Sequence, residues 1–285
     1  MKLWREIKQE FLQLRPILSK GEALSQWRYM VDFYFSSLTH PSAIDDLSVS
    51  PVHQQTLPEQ FERLRNGEPI QHIVGFAWFD DMQFMVNKHV LIPRQETEEL
   101  VYLIKDEVQQ PEKIIDIGTG SGAIALSLAQ HFPSSKIYAL DVSAEALKVA
   151  RINAQKLNIP NVEFIQNDVL SMNIIEVGVD VIVSNPPYIT NDHKTKMDGV
   201  VTDFEPHAAL FVPNDEPLLF YKKISRLAKL NSQSSGKSVQ LFFEINEFFV
   251  EEVKQLLSNE GFQRVSAKRD LNGNWRMAYA TFTPL

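Results

Sequence analysis

The sequence predicts an α/β protein with a parallel, doubly wound sheet, preceded by a small helical domain. Strands and helices alternate from about Lys113 onwards, whereas the earlier part places apolar residues at steps of three and four. Alternation is the pattern of a parallel sheet covered by helices, and steps of three and four place side chains on one helical face. We therefore expect a helical domain over residues 1–68, a β-hairpin connector over 69–90 and a large α/β domain over 91–285.

Three helices are predicted for the N-terminal part, from apolar stripes at helical spacing and from residues that end a helix. Each stripe predicts a face that packs into a small helical bundle. The predicted helices are one with Leu3, Ile7, Phe11 and Leu14 on a single face, one over Glu22–Leu38 that His40-Pro41 ends, and one over Thr56–Arg65 that Asn66-Gly67 ends.

Strand and turn signals follow along the rest of the chain. Two strands, Ile70–Phe79 and Met82–Val86, joined at Asp80-Asp81, predict the hairpin of the connector. The segment Ser232–Lys237 is polar and is predicted to be a loop. The alternating elements are strands over Lys113–Ile117, Lys136–Leu140, Val162–Ile165, Val179–Val183 and Val239–Ile245, and helices over Ala123–His131 and Ala144–Leu157.

The composition limits the classes of function. A formal net charge of −8 argues against a protein that holds nucleic acid through phosphates, because such proteins usually have a basic surplus. The absence of cysteine excludes disulfides, thiolate zinc sites and a cysteine nucleophile. The histidines show no ligand spacing, so we expect no metal, and we expect His131 and His207 to be packing or surface residues. No apolar run approaches the ~20 residues of a membrane span, and the N-terminal segment does not fit a signal peptide, so we expect a cytoplasmic protein that binds no membrane.

A glycine-rich segment, Asp116–Gly122, follows a predicted strand and opens a predicted helix. Glycine lets the backbone approach a ligand closely, and the start of a helix offers free N–H groups. Asp141 ends the next strand, where a carboxylate can accept hydrogen bonds from both hydroxyls of a ribose. The segment therefore predicts a nucleoside site with Gly118, Thr119, Gly120, Ser121, Gly122 and Asp141 as its cofactor-binding residues.

The glycine segment by itself leaves the nucleoside open. Gly118, Gly120 and Ala123 fit the dinucleotide pattern G-x-G-x-x-G/A, so an NAD-linked oxidoreductase is an alternative at this point. Methyltransferases have a similar loop, usually preceded by an acidic residue such as Asp116.

The segment Asn185-Pro186-Pro187-Tyr188 decides between these alternatives. It follows an apolar strand, and its prolines remove two backbone donors, which leaves carbonyls free to accept hydrogen bonds. A planar –NH2 group needs two acceptors in its plane, and the Asn185 side-chain oxygen and the Pro186 carbonyl can supply them. The Tyr188 ring can stack on the planar group. We predict a methyltransferase acting on an amide or aromatic amine, with Asn185, Pro186 and Tyr188 as catalytic residues and Pro187 as a further substrate contact.

The order of these motifs resembles the release factor glutamine methyltransferases, the PrmC/HemK family, over nearly the whole chain. Departures are Gln95, where the family usually has proline, and the segments Val212–Leu218 and Glu244–Asn246, which we expect in loops around the pocket. The matching segments are Glu68–Ile73 with Gly75, Val90–Glu98, Asp116–Gly122, Ser184–Ile189, Glu205-Pro206 with Ala209-Leu210, and Arg269–Gly273.

The resemblance implies a Rossmann-like class I S-adenosylmethionine methyltransferase domain with one antiparallel strand near the C-terminus. It implies methylation of the side-chain amide nitrogen of the glutamine in the Gly-Gly-Gln motif of class I peptide chain release factors, which the helical domain would help to grip. It also places Thr97 near the cofactor, with Asp168 and Val169 near the adenine and Asn185 reaching the cofactor. No metal and no direct contact with nucleic acid are expected.

Two alternatives remain besides the oxidoreductase. An adenine-amino methyltransferase acting on DNA or RNA would use the same Asn185 motif, because adenine also presents a planar –NH2; the acidic net charge argues against it. A module that binds the cofactor only to dock partners would have no need of the Asn185 amide.

Overall fold

Helices form the N-terminal part of the protein. The computed structural model describes residues 2–14, 20–35, 44–175, 178–190, 192 and 204–284. The chain divides into two units between Phe76 and Ala77, with Phe204 assigned to the first. The first unit contains the helices α1 (Trp4–Gln13), α2 (Lys20–Phe35), α3 (Pro51–Arg65) and α4 (Ile70–Val74).

The first unit packs its own aromatic core. Ile7 and Phe11 of the predicted stripe are buried, and the Phe11 ring centroid lies 5.3 Å from that of Trp27. The third helix begins at Pro51 rather than Thr56, because the Ser50 side chain accepts a hydrogen bond from the His53 N–H at 3.2 Å and caps it. The predicted end of the second helix at His40-Pro41 lies outside the described residues.

The predicted strand over Ile70–Phe79 is wrong in its first half. Residues Ile70–Val74 form a short helix, which buries Ile70, Ile73 and Val74 and ends at Gly75 with φ +80°. Steps of three and four bury these residues on one helical face, although their β-branched side chains favour strands. Only the second half is a strand.

The second unit begins with a hairpin and continues as alternating strands and helices. In the hairpin turn, Asp80 and Asp81 have φ values of +49° and +58°, as a two-residue turn between twisted strands requires. The elements are β1 (Phe76–Phe79), β2 (Met82–Met85), α5 (Gln95–Glu107), β3 (Lys113–Ile117), α6 (Ala123–His131), β4 (Lys136–Asp141), α7 (Ala144–Leu157), β5 (Val162–Gln166), β6 (Val181–Ser184), β7 (Ile189–Thr190), β8 (Phe211–Val212), α8 (Leu219–Ser235), β9 (Val239–Glu244), α9 (Val250–Asn259), β10 (Gln263–Arg269) and β11 (Trp275–Phe282).

One central sheet positions the site. Its strand order is β10-β11-β9-β6-β3-β4-β5, and every pairing is parallel except those of β11 with β9 and β10. The expected single antiparallel strand near the C-terminus is therefore β11. The chain leaves β3 for β4 on one side and later returns to β6 on the other. A crevice outside the carboxyl ends of the strands at such a switch point is the usual ligand site of this architecture.

The predicted loop over Ser232–Lys237 is also wrong, because α8 continues to Ser235 and Gly236 caps it with φ +69°. Of the polar residues in this last turn, Ser232 is buried and donates its hydroxyl to the Lys237 carbonyl, whereas Gln233, Ser234 and Ser235 are exposed. Asn231 accepts a hydrogen bond from the Val179 N–H and donates one to the Val179 carbonyl, each at 2.9 Å. The exposed polar residues thus form the solvent-facing end of a helix and not a loop. Within the described ranges, no helix combines the length and the apolar character needed to cross a bilayer.

Candidate active site

Three neighbouring strands bring the predicted motifs together. The backbone register pairs Ile117 of β3 with Leu140 of β4 on one side and with Ser184 of β6 on the other. The glycine segment, Asp141 and Asn185 follow these three positions directly. All three motifs therefore meet at one edge of the sheet.

A cavity of about 370 Å³ lies at this edge. Among the described residues that line it, none is lysine or arginine. Five of the predicted site residues, Thr97, Thr119, Ser121, Gly122 and Tyr188, do not line it. The predicted residues that do are Gly118, Gly120, Asp141, Asp168, Val169, Asn185, Pro186 and Pro187.

Four N–H groups of the glycine segment, those of Gly118, Thr119, Gly120 and Gly122, already have acceptors inside the protein. Those of Gly118 and Thr119 donate to the Leu140 carbonyl at 2.8 and 3.0 Å, and that of Gly120 donates to Asp141 Oδ2 at 2.8 Å. A dinucleotide would need such donors or a cation for its pyrophosphate. Since the cavity supplies neither from these residues, it fits a nucleoside that has no phosphate.

Asp116 supports the glycine segment through a hydrogen bond from Thr119. It is fully buried, and its Oδ2 accepts a hydrogen bond from the Thr119 hydroxyl at 2.6 Å. Burial raises the pKa of Asp116 to about 7, and the nearby charge of Asp141 also raises it, whereas the bond from Thr119 lowers it. Thr119 thus supports the segment and does not face the cavity.

Asp141 combines a supporting role with a free acceptor capacity. Its Oδ2 accepts the Gly120 N–H, and its Oδ1 accepts the Ser143 N–H at 2.9 Å. Burial raises the pKa of Asp141, and these backbone bonds lower it. Each carboxylate oxygen has a second lone pair, so both can still accept ribose hydroxyls.

Asp168 and Val169 form the wall after β5. The Asp168 Oδ1 accepts the Leu170 N–H at 2.9 Å, and Val169 is buried against the cavity. Asn167 donates its N–H to the Asp141 carbonyl at 3.1 Å. This bond fastens the wall to the end of β4.

Two further walls are joined by an ion pair. His89, Val90 and Leu91 line the cavity on one side, and Pro206, Ala208 and Ala209 line it on another. Arg94 donates to Glu205 Oε1 at 2.6 Å, and the Glu205 side chain is almost completely buried. Burial raises the pKa of Glu205, and Arg94 lowers it. The pair joins Arg94, which follows the first wall, to Glu205, which directly precedes the second.

Asn185 lines the cavity, and its side-chain amide also contacts a residue that does not line it. Its Nδ2 lies 3.4 Å from Thr97 Oγ1, and Thr97 donates to Glu244 Oε2 at 2.6 Å. Thr97 stands in the first turn of α5 and not in a loop. Tyr188, whose ring is predicted to stack on the substrate, donates its hydroxyl to Glu244 Oε1 at 3.1 Å.

For Glu244 the sequence interpretation gave two placements, the end of the strand Val239–Ile245 and a loop around the pocket, and the structure confirms the strand. Glu244 is the buried last residue of β9 and not part of a loop, and Val212 at the other departure from the family is likewise buried, in β8. Burial raises the pKa of Glu244, while the bond from Thr97 and the charge of Arg276 lower it. A lone acid that ends the apolar run Val239–Phe243 at the edge of a parallel sheet was a usable signal. Nothing in the sequence pointed to Arg276.

His131 is a packing residue and His207 is exposed, as predicted for these two histidines. His131 Nε2 lies 2.9 Å from Asp80 Oδ2, in the packing between the hairpin turn and α6. No group of three or more potential metal ligands occurs among the described residues.

Comparison with known proteins shows the family to which this chain belongs. A family model described as a methyltransferase domain matches residues 109–240. A release factor glutamine methyltransferase from Flavobacterium psychrophilum is 36% identical over 287 residues, 98% of this chain and 99% of that protein. One from Bacteroides thetaiotaomicron is 41% identical over 236 residues, 82% of this chain and 84% of that protein.

Solved structures agree with the fold. A methyltransferase from Pyrococcus furiosus superposes with a TM-score of 0.50 at 20% identity, covering 71% of this chain and 89% of that one. The catalytic domain of hMettl16, solved with a MAT2A 3′UTR hairpin, gives 0.52 at 13% identity, covering 80% and 81%. The Rossmann-like class I methyltransferase fold is thus confirmed. Because the first relative is similar over nearly all of both chains, this protein belongs to the family of release factor glutamine methyltransferases.

Proposed function

We propose that this protein transfers a methyl group from S-adenosylmethionine to the side-chain amide nitrogen of the glutamine in the Gly-Gly-Gln motif of class I peptide chain release factors. The observation on which this rests is the identity of 36%, over nearly its full length, with a protein named for that activity. The geometry at the end of β6 supports it independently.

The residues present fit S-adenosylmethionine. Asp141 offers lone pairs to ribose hydroxyls, Asp168 and Val169 stand where an adenine would lie, and none of the described lining residues is a lysine or arginine that would repel a sulfonium. Bound there, S-adenosylmethionine would supply an electrophilic methyl group on sulfur. Gly118 and Gly120 would allow its close approach, since no side chain projects from them.

Asn185 and Pro186 would orient the substrate amide. Both line the cavity beside the glycine segment, and their oxygens can accept the two hydrogens of a planar –NH2. An amide nitrogen is a poor nucleophile, because its lone pair is delocalised into the carbonyl. Acceptors placed in advance would hold this nitrogen in line with the methyl group and stabilise the charge that grows on it. Alignment thus contributes much of the rate.

The partner follows from the same proposal. The helical domain, residues 1–68, would help to bind the release factor. Because a release factor acts in translation, the reaction would take place in the cytoplasm. No observation favours the adenine-amino alternative, because the formal net charge is −8 and no lysine or arginine occurs among the described residues that line the cavity.

The test is transfer of labelled methyl to competing substrates. The protein is incubated with methyl-labelled S-adenosylmethionine and either an unmodified release factor, the same factor with its motif glutamine replaced by glutamate, or duplex DNA. We expect label in the unmodified factor alone, located on the glutamine by peptide mass spectrometry. Label in the DNA, or equal label in the glutamate variant, would reject the proposal.

A further inference from the structure

Asn185 and two side chains behind it, Thr97 and Glu244, form one hydrogen-bonded chain, although they are distant in sequence. Glu244 accepts from Thr97, and Thr97 in turn faces the Asn185 amide. We propose that Glu244 is a positioning residue that fixes, through Thr97, which way round the Asn185 amide stands. The inference rests on the proposed function, because it concerns the acceptor that this function assigns to Asn185.

The orientation of the Asn185 amide needs an explanation. The oxygen and the –NH2 of an amide are close in size, so packing alone does not distinguish the two orientations. They differ in chemistry, since only the oxygen accepts hydrogen bonds. A substrate –NH2 needs the oxygen on its side, and something must hold the Asn185 Nδ2 on the other.

Thr97 supplies this discrimination because its one hydrogen is already committed. The hydroxyl donates to Glu244 Oε2 at 2.6 Å, in a buried setting. Its oxygen can then only accept, so the Asn185 atom at 3.4 Å must be the donor Nδ2. The Asn185 Oδ1 is thereby turned away from Thr97, free to accept from the substrate.

The carboxylate imposes the direction of the whole chain. An ionised carboxylate is an acceptor only, and its other oxygen accepts the Tyr188 hydroxyl at 3.1 Å. One buried group thus orients two residues of the Asn185–Tyr188 segment. Arg276, whose Nε donates to Asp270 at 3.1 Å, interacts with Glu244 electrostatically and favours its charged form.

A neutral amide at position 244 would remove this direction. Glutamine has one acceptor oxygen for two donors, so Thr97 or Tyr188 would face an –NH2 instead. When Thr97 faces it, the Thr97 hydrogen is released towards Asn185, whose amide then turns to offer Oδ1. The substrate would meet an –NH2 where it needs an acceptor.

Hydrogen exchange of the Asn185 side-chain amide tests this without catalysis. In the full chain labelled with ¹⁵N, the Asn185 –NH2 signal is identified by its absence in Asn185→Asp. We expect protection in the wild type and in Thr97→Ser, which keeps the hydroxyl, and faster exchange in Thr97→Val and Glu244→Gln. Tyr188→Phe is the matched control, because it empties the other carboxylate oxygen and leaves the Thr97 branch intact.

Kinetics with the release factor complete the test. At saturating S-adenosylmethionine we expect kcat to fall about tenfold in Thr97→Val and in Glu244→Gln, as for one lost polar contact, and KM for the factor to change less than about twofold. Thr97→Ser should stay within about twofold of the wild type, and melting curves confirm folding.

Three results would overturn the inference. The first is unchanged protection and kcat in Thr97→Val. The second is a Thr97→Ser variant as impaired as Thr97→Val, which would mean a packing role. The third is an effect of Thr97→Val confined to cofactor affinity. A wild-type protein that does not methylate the factor would instead reject the proposed function, while the exchange measurement would still decide the orientation of the amide.

Discussion

At the scale of single residues, Asn185 is the residue to which we assign the central role in the proposed reaction. Its side chain lines the cavity, and its Nδ2 faces Thr97. We expect Asn185→Ala to lower turnover by roughly 10²–10³, the range for a preorganised polar contact in a transition state. Single-turnover methylation of a release factor measures this effect, and calorimetry with the demethylated cofactor should give a nearly unchanged affinity. Near-normal turnover in a folded variant would place the reaction centre elsewhere.

Asp116 makes the stability of the protein depend on pH. Its pKa rises from 3.8 to about 7 on folding, mainly through burial. A raised pKa means that the folded state binds the proton more tightly, so the stabilisation from this group is complete below the unfolded pKa and is lost as pH rises through the folded one. Between pH 4 and 7 the free energy of unfolding should therefore fall by up to about 1.4 kcal/mol per pH unit from this group alone.

Asp116→Asn should remove this dependence, because the neutral amide has nearly the same shape and does not titrate. Urea unfolding of both proteins without cofactor, at several values of pH, gives the comparison. As the pH rises from 4 to 7, we expect the free energy of unfolding of Asp116→Asn to increase relative to that of the wild type. A constant difference would show that Asp116 is ionised in the folded protein throughout this range.

At the scale of elements, the start of α6 depends on a glycine that no other residue can replace freely. Gly122 has φ +84°, and a Cβ there would lie 3.2 Å from both Ala150 Cβ and Leu126 Cδ1. Gly236, at the end of α8, has φ +69° with nothing within 4 Å of the added Cβ. Both glycines have a left-handed backbone, but only at Gly122 would an added Cβ also be crowded. Comparing alanine substitutions at the two positions therefore distinguishes the cost of backbone strain from that of crowding.

We expect Gly236→Ala to cost about 1–2 kcal/mol of stability, from the left-handed backbone alone. Gly122→Ala should cost about 1–3 kcal/mol more, because the new methyl group also overpacks α6 against α7. Equilibrium unfolding in urea measures both values. Equal costs would mean that α7 yields enough to accept the methyl group.

At the scale of the whole molecule, the two units suggest separate tasks. We expect a chain that begins at Gly75, and so keeps β1 whole, to bind S-adenosylmethionine within about twofold of the full chain, because every described residue of the cavity lining follows Gly75. It should methylate a short Gly-Gly-Gln peptide about as poorly as the full chain does. Against an intact release factor its kcat/KM should be much lower. Circular dichroism checks that the shortened chain folds, and equal kcat/KM on the intact factor would contradict a gripping role for the helical domain.

The sequence by itself determined the local features of this protein. Periodicity located α6, α7 and β3 at their observed bounds, since the alternation of side chains along a helix or strand is set by neighbouring residues. It also indicated that the motifs after β3, β4 and β6 share one edge, because parallel strands end together. Short-range patterns were misleading at two places. Residues Ile70–Val74 are helical because packing on one face prevailed, and Ser232–Ser235 continue α8 because polar residues at the end of a helix face solvent as readily as those of a loop.

Only the tertiary structure decided how the site residues act on one another. Thr97 and Asn185 are 88 positions apart, and Thr97 and Glu244 are 147 apart. Their contact depends on β6 lying between β3 and β9, a strand order that no local pattern encodes. The same holds for the glycine segment, where the N–H groups of Gly118, Thr119 and Gly120 donate to the Leu140 carbonyl and the Asp141 carboxylate on the adjacent strand. Residue types predicted the chemistry, and strand pairing chose the partners, because a hydrogen bond forms with whichever group the fold brings near.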